Sequence, residues 1–345
     1  MSNIERKMAY IAKVTGIFPI KDADRICVYE IDSGWKVVDT IGKYSVSDLV
    51  VYVSIDSWVP TTTAPFLTKP EHFPKIYNGI QGEKLRTIRL KKQISQGLIL
   101  PLSVLDYVES EIMEVLIGLD VSVPLGIVKW EPPPEFASAD SKGNFPSCVP
   151  KTNQERIQNF YSDIKDQFDK ITFSVSEKAN GSSGTFIFNN GEFAVCSRNL
   201  ELKDSDNTWW NIARKYNLEN KLRTLGRNIG IQGEVLGPKM NGNQYQLTDF
   251  MMLVFDIFDI DKQEYLSPKE MVNLCNDLGL QTVPILNSNM SLNNYSLDTI
   301  LKMADGTSVL GFPSTKREGL VFKANTPERI SFKAISNAHL LSEKD

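Results

Sequence analysis

The chain has 345 residues, of which 41% are hydrophobic and 23% charged, and a formal net charge of −4. That length suits two domains of ordinary size, the composition is that of a soluble globular protein, and no apolar run is long enough to cross a bilayer, which excludes a membrane-spanning protein. The segment Met1 to Lys7 has neither the apolar core nor the cleavage site of a secretory signal, so an intracellular location, cytoplasmic or nuclear, is expected.

In chain order, the first elements are short β-rich runs broken by turn residues, at 9–18, 26–31, 35–41 and 49–55. After a polar, proline-containing loop come 85–90 and 97–102. Five or six strands with one long excursion suit a small closed barrel, and an OB-type β-barrel fits the count. Lys84, Arg86, Arg89, Lys91 and Lys92 cluster without an acidic residue before Pro101. Such a run either tracks phosphates or forms a solvated strand face, and charge alone favours the second. A nonspecific nucleic-acid binder is usually basic overall, so the charge of this chain has to be read locally.

Residues 130–149 then read as a linker: Pro132, Pro133 and Pro134 are stiff and extended, and Ser, Ala, Asp, Gly and Asn follow up to Phe145. The domains expected are therefore 1–129 and 150–345. Gln154 to Phe168 has helical spacing, with Ile157, Phe160, Ile164 and Phe168 on one face. Strands are expected at 171–178, 185–190, 192–199, 228–237, 250–260, 319–324 and 330–335, and helices at 209–216 and 268–278. This mixture of hairpins and helices is α+β and antiparallel, and neither Gly-rich nucleotide loop, GxGxxG or GxxxxGK[ST], occurs.

Cys27, Cys148, Cys196 and Cys275 are scattered singly, which argues against a zinc site. His72, between Pro70 and Pro74, reads as surface loop, and His339 as carboxy-terminal tail, so a histidine base is not expected. Trp209 and Trp210 read as core, and Asp256, Asp259 and Asp261 as a strand-end turn.

The string that carries chemistry is Ser176-Glu177-Lys178-Ala179-Asn180-Gly181-Ser182-Ser183-Gly184. A strand ends on a lysine, and the small residues after it let backbone N–H groups approach a ligand, which suits a nucleophile meeting a phosphate. Cys196-Ser197-Arg198-Asn199, Gly233-Glu234, Phe255-Asp256-Ile257-Phe258, Arg317-Glu318-Gly319-Leu320-Val321-Phe322-Lys323 and Ser331-Phe332-Lys333 follow in that order. The series resembles the covalent nucleotidyltransferases, the superfamily of ATP-dependent ligases and mRNA capping enzymes, and its order is far more specific than any one string. Pro150 to Asn159 resembles the segment ahead of the nucleophile strand in ligases of the RNA ligase 2 type. Ala23 to Ile26, Gly34 to Val38, Asp56 to Pro60 and Ser95 to Leu102 are similar to the OB module that precedes the transferase domain in the RNA ligase 5 group, so the likeness spans nearly the whole chain.

The resemblance implies an OB-type barrel followed by an adenylyltransferase domain of the ATP-grasp-like ligase kind, and an RNA repair ligase that uses ATP with Mg²⁺ or Mn²⁺. Such an enzyme joins 3′-OH and 5′-phosphate ends of nicked duplex or broken RNA, with a DNA strand as possible template, and a monomer is expected. It implies Lys178 as nucleophile, with Lys323 and Lys333 on the α-phosphate and Arg198 on ribose or substrate phosphate. Gly181 lies close to the nucleotide. Glu177 is expected near adenine, Glu234 and Glu318 on ribose or metal, and Phe255 or Phe258 stacked on the base, with alternation turning one of the two inward. Asn180 stands where the family often has Asp, and Ile335 where many relatives carry a second lysine; both changes remove charge near the phosphate site. Two other readings stay open, a catalytically degenerate RNA-binding protein and a capping guanylyltransferase.

Overall fold

A computed structural model describes residues 6–106, 116–131 and 140–342. The chain divides into two compact units, the first formed by residues up to 132 together with 158–162 and the second by residues 133–157 and 163–342.

In the first unit, strands Leu98–Pro101, Leu49–Val53, Ala9–Pro19, Ile26–Ile31 and Lys36–Thr40 lie side by side in that order, all antiparallel. The outer two meet: the Gln96 N–H donates to the Lys36 carbonyl at 2.9 Å and the Val38 N–H to Ser95 Oγ at 2.9 Å. This closes the sheet into a barrel around Tyr29, Trp35, Tyr52 and Ile99, so the unit is an OB-fold. Alternating β-branched and aromatic residues drive the closure, since each strand has one apolar face to bury. The stretch between the expected strands 49–55 and 85–90 holds further strands: Ser57–Pro60, Lys75–Tyr77 and Ile80–Lys84 form a small sheet with Val128–Lys129. Its Tyr77 has too few apolar neighbours for a clear period, which explains why the sequence pattern hides it. The basic run splits between roles. Lys84 lies 3.4 Å from the Trp130 ring centroid, while the exposed Lys91 and Lys92 turn the hairpin Ile88–Leu90/Gln93–Ser95.

The second unit holds a seven-stranded and a four-stranded antiparallel sheet. The larger runs Ser141–Asn144, Leu200–Leu202, Glu192–Cys196, Ser182–Asn189, Ile229–Leu236, Met251–Asp259, Glu264–Tyr265. The smaller runs Ile285–Ser291, Thr172–Lys178, Gly319–Ala324, Ser331–Ile335. Helices Thr208–Lys215, Leu218–Leu225 and Pro268–Leu278 cover one face of the larger sheet through Ile212, Leu222, Met271 and Leu274. The last begins with a capping box, in which Ser267 Oγ accepts the Glu270 N–H and the Glu270 carboxylate accepts the Ser267 N–H.

Four expectations change. The spacer does not extend over 141–149, because Ser141–Asn144 pairs with Leu200–Leu202 and both Phe145 and Val149 are buried; residues 132–139, with its prolines, lie outside the described residues. Gln154 to Phe168 is not one helix but three short turns, Ile157–Asn159, Tyr161–Ile164 and Lys165–Gln167. Its four apolar residues are nonetheless buried, so side-chain burial and not a continuous hydrogen-bond ladder fixes this stretch. His339 sits buried in helix Asn337–Ser342, not in a loose tail. Asp259 and Asp261 stand at the strand-end turn as expected, on Arg227 and Asn228, but Asp256 lies within the strand and pairs with Lys323 and Arg329. Trp209 and Trp210 pack on the core as expected, with their ring N–H groups on the Ser183 and Leu202 carbonyls.

Candidate active site

Strand Thr172–Lys178 reaches its end as the register pairs Lys178 with Gly319. Glu318, one residue before that partner, therefore stands beside the lysine, with Nζ to Oε1 at 2.7 Å. Gly319 is required by packing, since a Cβ there would lie 2.2 Å from the Ala334 carbonyl oxygen. After Lys178 the chain turns through Ala179 to Gly181 and enters the larger sheet, where Ser183 pairs with Glu234. The Gly181 N–H donates to Glu234 Oε1 at 3.0 Å, and a Cβ on Gly181 would sit 2.3 Å from the Val235 carbonyl oxygen. The lysine, both glutamates and the turn are thus fixed by ladder register and two close backbone approaches.

Lys333 joins them from strand Ser331–Ile335, two strands away, and its N–H donates to the Glu155 carbonyl at 2.8 Å. The neighbouring Arg156 bridges to Lys333 in parallel register. The site is electrostatically tense. Burial works to lower the Lys178 pKa, but the Glu318 and Glu234 carboxylates outweigh it and hold the ammonium above its ordinary value. Burial raises Glu234 to about 7, with the Glu318 charge adding to it against the pull of Lys178. Burial, then the charges of Lys178 and Arg156, bring Lys333 down to about 7.

Glu318 Oε2 is buried and has no hydrogen-bond partner among the described residues. Together with Glu234 it gives two carboxylates that favour a cation between them, a position the Lys178 ammonium partly fills. No group of three or more Asp, Glu, His or Cys side chains suited to a metal occurs among the described residues. A divalent ion fits here only if water or phosphate oxygens complete its shell, as is usual for Mg²⁺.

The remaining expected residues divide. Arg198 is exposed on the turn after strand Glu192–Cys196, close enough to Glu234 to oppose the rise in its pKa. Glu177 is buried and committed elsewhere: its carboxylate accepts from Ser308 Oγ and, at 2.9 Å, from the Val309 N–H. Lys323 does not join Lys178. It pairs with Ser174, four positions back along the strand, and its Nζ lies 2.9 Å from Asp256 and on the Phe255 carbonyl. Lys323 thus stands in an ion pair of its own, separate from the Lys178–Glu318 pair.

Alternation does not choose between Phe255 and Phe258, because a β-bulge skips Phe255: Gln232 pairs with Asp256 and Gly233 with Val254. Phe255 is half-buried beside Ala179 and Tyr245, whereas Phe258 is buried with Phe145, Val149 and Ile187 and edge-on to Tyr265. Phe255 is therefore the aromatic next to the nucleophile turn, and Phe258 is core. Ile335 is buried against the Gly319 backbone, so the position of the second family lysine is apolar here. Sequence reasoning missed Arg156, although it lies in the segment singled out ahead of the nucleophile strand. It also missed Asn241, Gln244 and Tyr245, which contact the turn from 60 to 65 residues away.

Comparison with known proteins agrees with this geometry. The RNA ligase family model matches residues 171–335, and an OB-fold domain model matches residues 8–102. No curated protein matches the sequence. Among solved structures, an RNA ligase of Naegleria gruberi, as a lysine-to-methionine variant with AMP and Mn, is 38% identical over 99% of this chain and 100% of that one, with a TM-score of 0.81. A lysine-to-alanine variant of the same enzyme with ATP and Mn is 37% identical over 98% and 99%, also at 0.81. Its complex with PPi is 38% identical over 97% and 98%, at 0.78. With that identity over nearly the full length of both chains, and an OB-fold placed ahead of an antiparallel α+β domain in which a strand-end lysine meets two glutamates, the chain belongs to the RNA ligase family.

Proposed function

We propose that this ATP-dependent RNA ligase joins a 3′-OH to a 5′-phosphate through three nucleotidyl transfers, the first of them onto its own Lys178. The observation that carries this reading is the Lys178–Glu318 pair at 2.7 Å, with Glu234 bound to the following turn and Lys333 alongside. A lysine nucleophile needs a free electron pair, and an ordinary lysine at neutral pH is almost all ammonium. Here the Glu318 and Glu234 carboxylates hold the proton on. A divalent cation, Mg²⁺ or Mn²⁺, on Glu318 and Glu234 would neutralise phosphate charge and relieve the carboxylates' hold on that proton.

The Lys178 nitrogen then attacks the α-phosphorus of ATP. A P–N bond forms, the bond from the α-phosphorus to its bridging oxygen breaks, pyrophosphate departs with that electron pair, and the surplus amine proton goes to solvent. Lys333 and Arg156 supply the positive charge that the phosphates need in a transfer governed by positioning and charge neutralisation. In the second step a 5′-phosphate oxygen attacks the AMP phosphorus, the P–N bond breaks and Lys178 recovers a proton. In the third the 3′-OH attacks the activated 5′-phosphorus, AMP leaves, and the hydroxyl proton is released.

In this reading Phe255 stacks on adenine and Arg198 meets ribose or a substrate phosphate. The substrate class is nicked duplex or broken RNA, with a DNA strand accepted as template, engaged by residues 1–129 while a monomer's residues 150–345 do the chemistry. Retention of the nucleophile, both glutamates and Lys333 supports activity over a binding-only role.

The test is to incubate the protein with α-labelled ATP or GTP and Mn²⁺, denature it, and follow the label and the sealing of a nicked RNA duplex. Covalent label from ATP together with sealing is expected. Label from GTP alone would point to capping, and none from either to binding only.

A further inference from the structure

The strand carrying Glu234 leads into a loop, Gly237 to Asp249, whose backbone is unusually constrained. Lys239, Asn241, Asn243 and Gln246 all have positive φ, at 69°, 40°, 45° and 54°. L residues rarely enter that region, and a run of them persists only where surrounding contacts over-determine it. Some of those contacts are internal, since the Asn243 side chain accepts the Leu247 N–H and donates to the Leu247 carbonyl, both at 2.9 Å. Others fall on the turn that follows Lys178.

Each is specific. Tyr245 Oη accepts the Asn180 N–H at 2.8 Å. Asn241 Nδ2 donates to the Gly181 carbonyl at 2.6 Å and to Asn180 Oδ1 at 3.0 Å. Gln244 Oε1 accepts from Asn180 Nδ2 at 3.2 Å. With Glu234 taking the Gly181 N–H, the polar groups of Asn180 and Gly181 are held from one side by a single loop and the strand before it. Tyr245 is itself wedged in place, 4% exposed among Ala179, Leu236, Leu253 and Val283. Leu236, Leu253 and Val283 hold its ring from outside the turn, which steadies the hydroxyl that the turn bonds.

We propose that Tyr245 and Asn241 are positioning residues for the nucleophile: they fix the 179–181 turn so that Lys178 Nζ is delivered in line with the α-phosphorus. Neither touches the reacting atoms. The bond that forms is Lys178 N to phosphorus and the bond that breaks is phosphorus to pyrophosphate, so the loop's effect is confined to transfers that make or break the P–N bond. The last transfer, in which the 3′-OH displaces AMP from an already activated RNA end, does not use the lysine nitrogen.

That restriction supplies the test, and it rests on the lysyl-AMP reading above. Tyr245→Phe keeps the packed ring and loses only the hydroxyl, and Asn241→Ala alters an exposed side chain. In the full-length protein, self-adenylylation is followed at varied ATP with Mn²⁺, alongside sealing of a nicked RNA duplex that is chemically pre-adenylylated. Both variants are expected to lose roughly tenfold or more in the maximal self-adenylylation rate, since small misplacements of reacting groups are costly. The KM for ATP and the sealing of the pre-adenylylated nick should stay within about twofold of the parent, because neither depends on the nitrogen's aim. Equal losses in the two assays would mean that the loop supports the whole site, and no loss in self-adenylylation would mean that the turn holds itself; either overturns the proposal. A parent protein that takes no AMP would instead overturn the lysyl-AMP reading.

Discussion

Lys178 and Lys323 each end in contact with a carboxylate, at 2.7 Å to Glu318 and at 2.9 Å to Asp256. Around Asp256 both carboxylate oxygens are taken, although burial lowers the Lys323 pKa. Arg329 donates to both its oxygens at 3.1 and 2.7 Å, and Lys323 also donates to the Phe255 carbonyl. Although burial works to raise the Asp256 pKa, the two cations hold it below the ordinary carboxylate range. Around Glu318 the account stays open: one oxygen is buried without a partner among the described residues, Glu234 is pushed up to about 7 and Lys333 down to about 7. A buried ion pair with all its hydrogen bonds made serves the fold, whereas one left short next to a like charge is prepared to receive something. Two lysines of similar sequence context are thus separated by their surroundings.

The largest effect that could break this comparison is at the nucleophile. Lys178→Ala should reduce AMP labelling to background while Lys323→Met keeps it in the folded fraction, as read by retained α-label after denaturation. Glu318→Gln should follow, with self-adenylylation falling by roughly 10²- to 10³-fold in single-turnover assays, the scale of losing one preorganised electrostatic group. Asp256→Ala tests the closed pair. Leaving Lys323 and Arg329 without their acid should cost about 3–5 kcal/mol in denaturant unfolding, far more than the loss of a surface pair such as Lys302–Asp298.

The open half of this contrast was legible in the sequence, whereas Lys323 was expected beside Lys178 and pairs with Asp256 instead. Motif order placed Lys178, Glu234, Glu318 and Lys333 together, because strand ends in register carry their neighbours with them. Alternation found most strands, and the helix expected at 268–278 is present with those bounds. What pattern could not reach was long-range or irregular. The bulge at Phe255 breaks the alternation locally, and nothing in the sequence announces that Lys323 pairs with Asp256. Tyr245 and Asn241 lie in a loop with no period, and nothing local marks them as partners of a turn more than 60 residues away. Strand Ile285–Ser291 escaped notice because four consecutive residues, Leu286 to Asn289, are exposed, leaving no buried face to read.

Two smaller effects sharpen the comparison through pH. Self-adenylylation should rise as pH is raised through about 7, because Glu234 must ionise to hold a cation and Lys178 must lose its proton. A flat profile from pH 6 to 8 would contradict both requirements. Folding depresses both Lys333 and Asp256, so stability rises with pH at each, by relief of a cost at the first and gain of a contribution at the second. Lys333 is depressed to about 7 in the folded state, so the unfolded chain binds more protons between there and the ordinary lysine range, and its burial is most costly at low pH. Lys333→Met should therefore raise Tm most below pH 7, with the gap closing as pH rises toward 10. Asp256, depressed, stabilises above the ordinary aspartate range and loses that contribution as pH falls through its folded value, so Asp256→Ala should matter least in acid.

The most direct measurement is to map the adduct. After incubation with ATP and Mn²⁺, tandem mass spectrometry of the digested full-length protein should find AMP on the peptide that carries Lys178 and none on the peptide that carries Lys323. An adduct on any other lysine, or an unmodified Lys178 in protein that seals RNA, would contradict the assignment of the open ion pair to chemistry and the closed one to the fold.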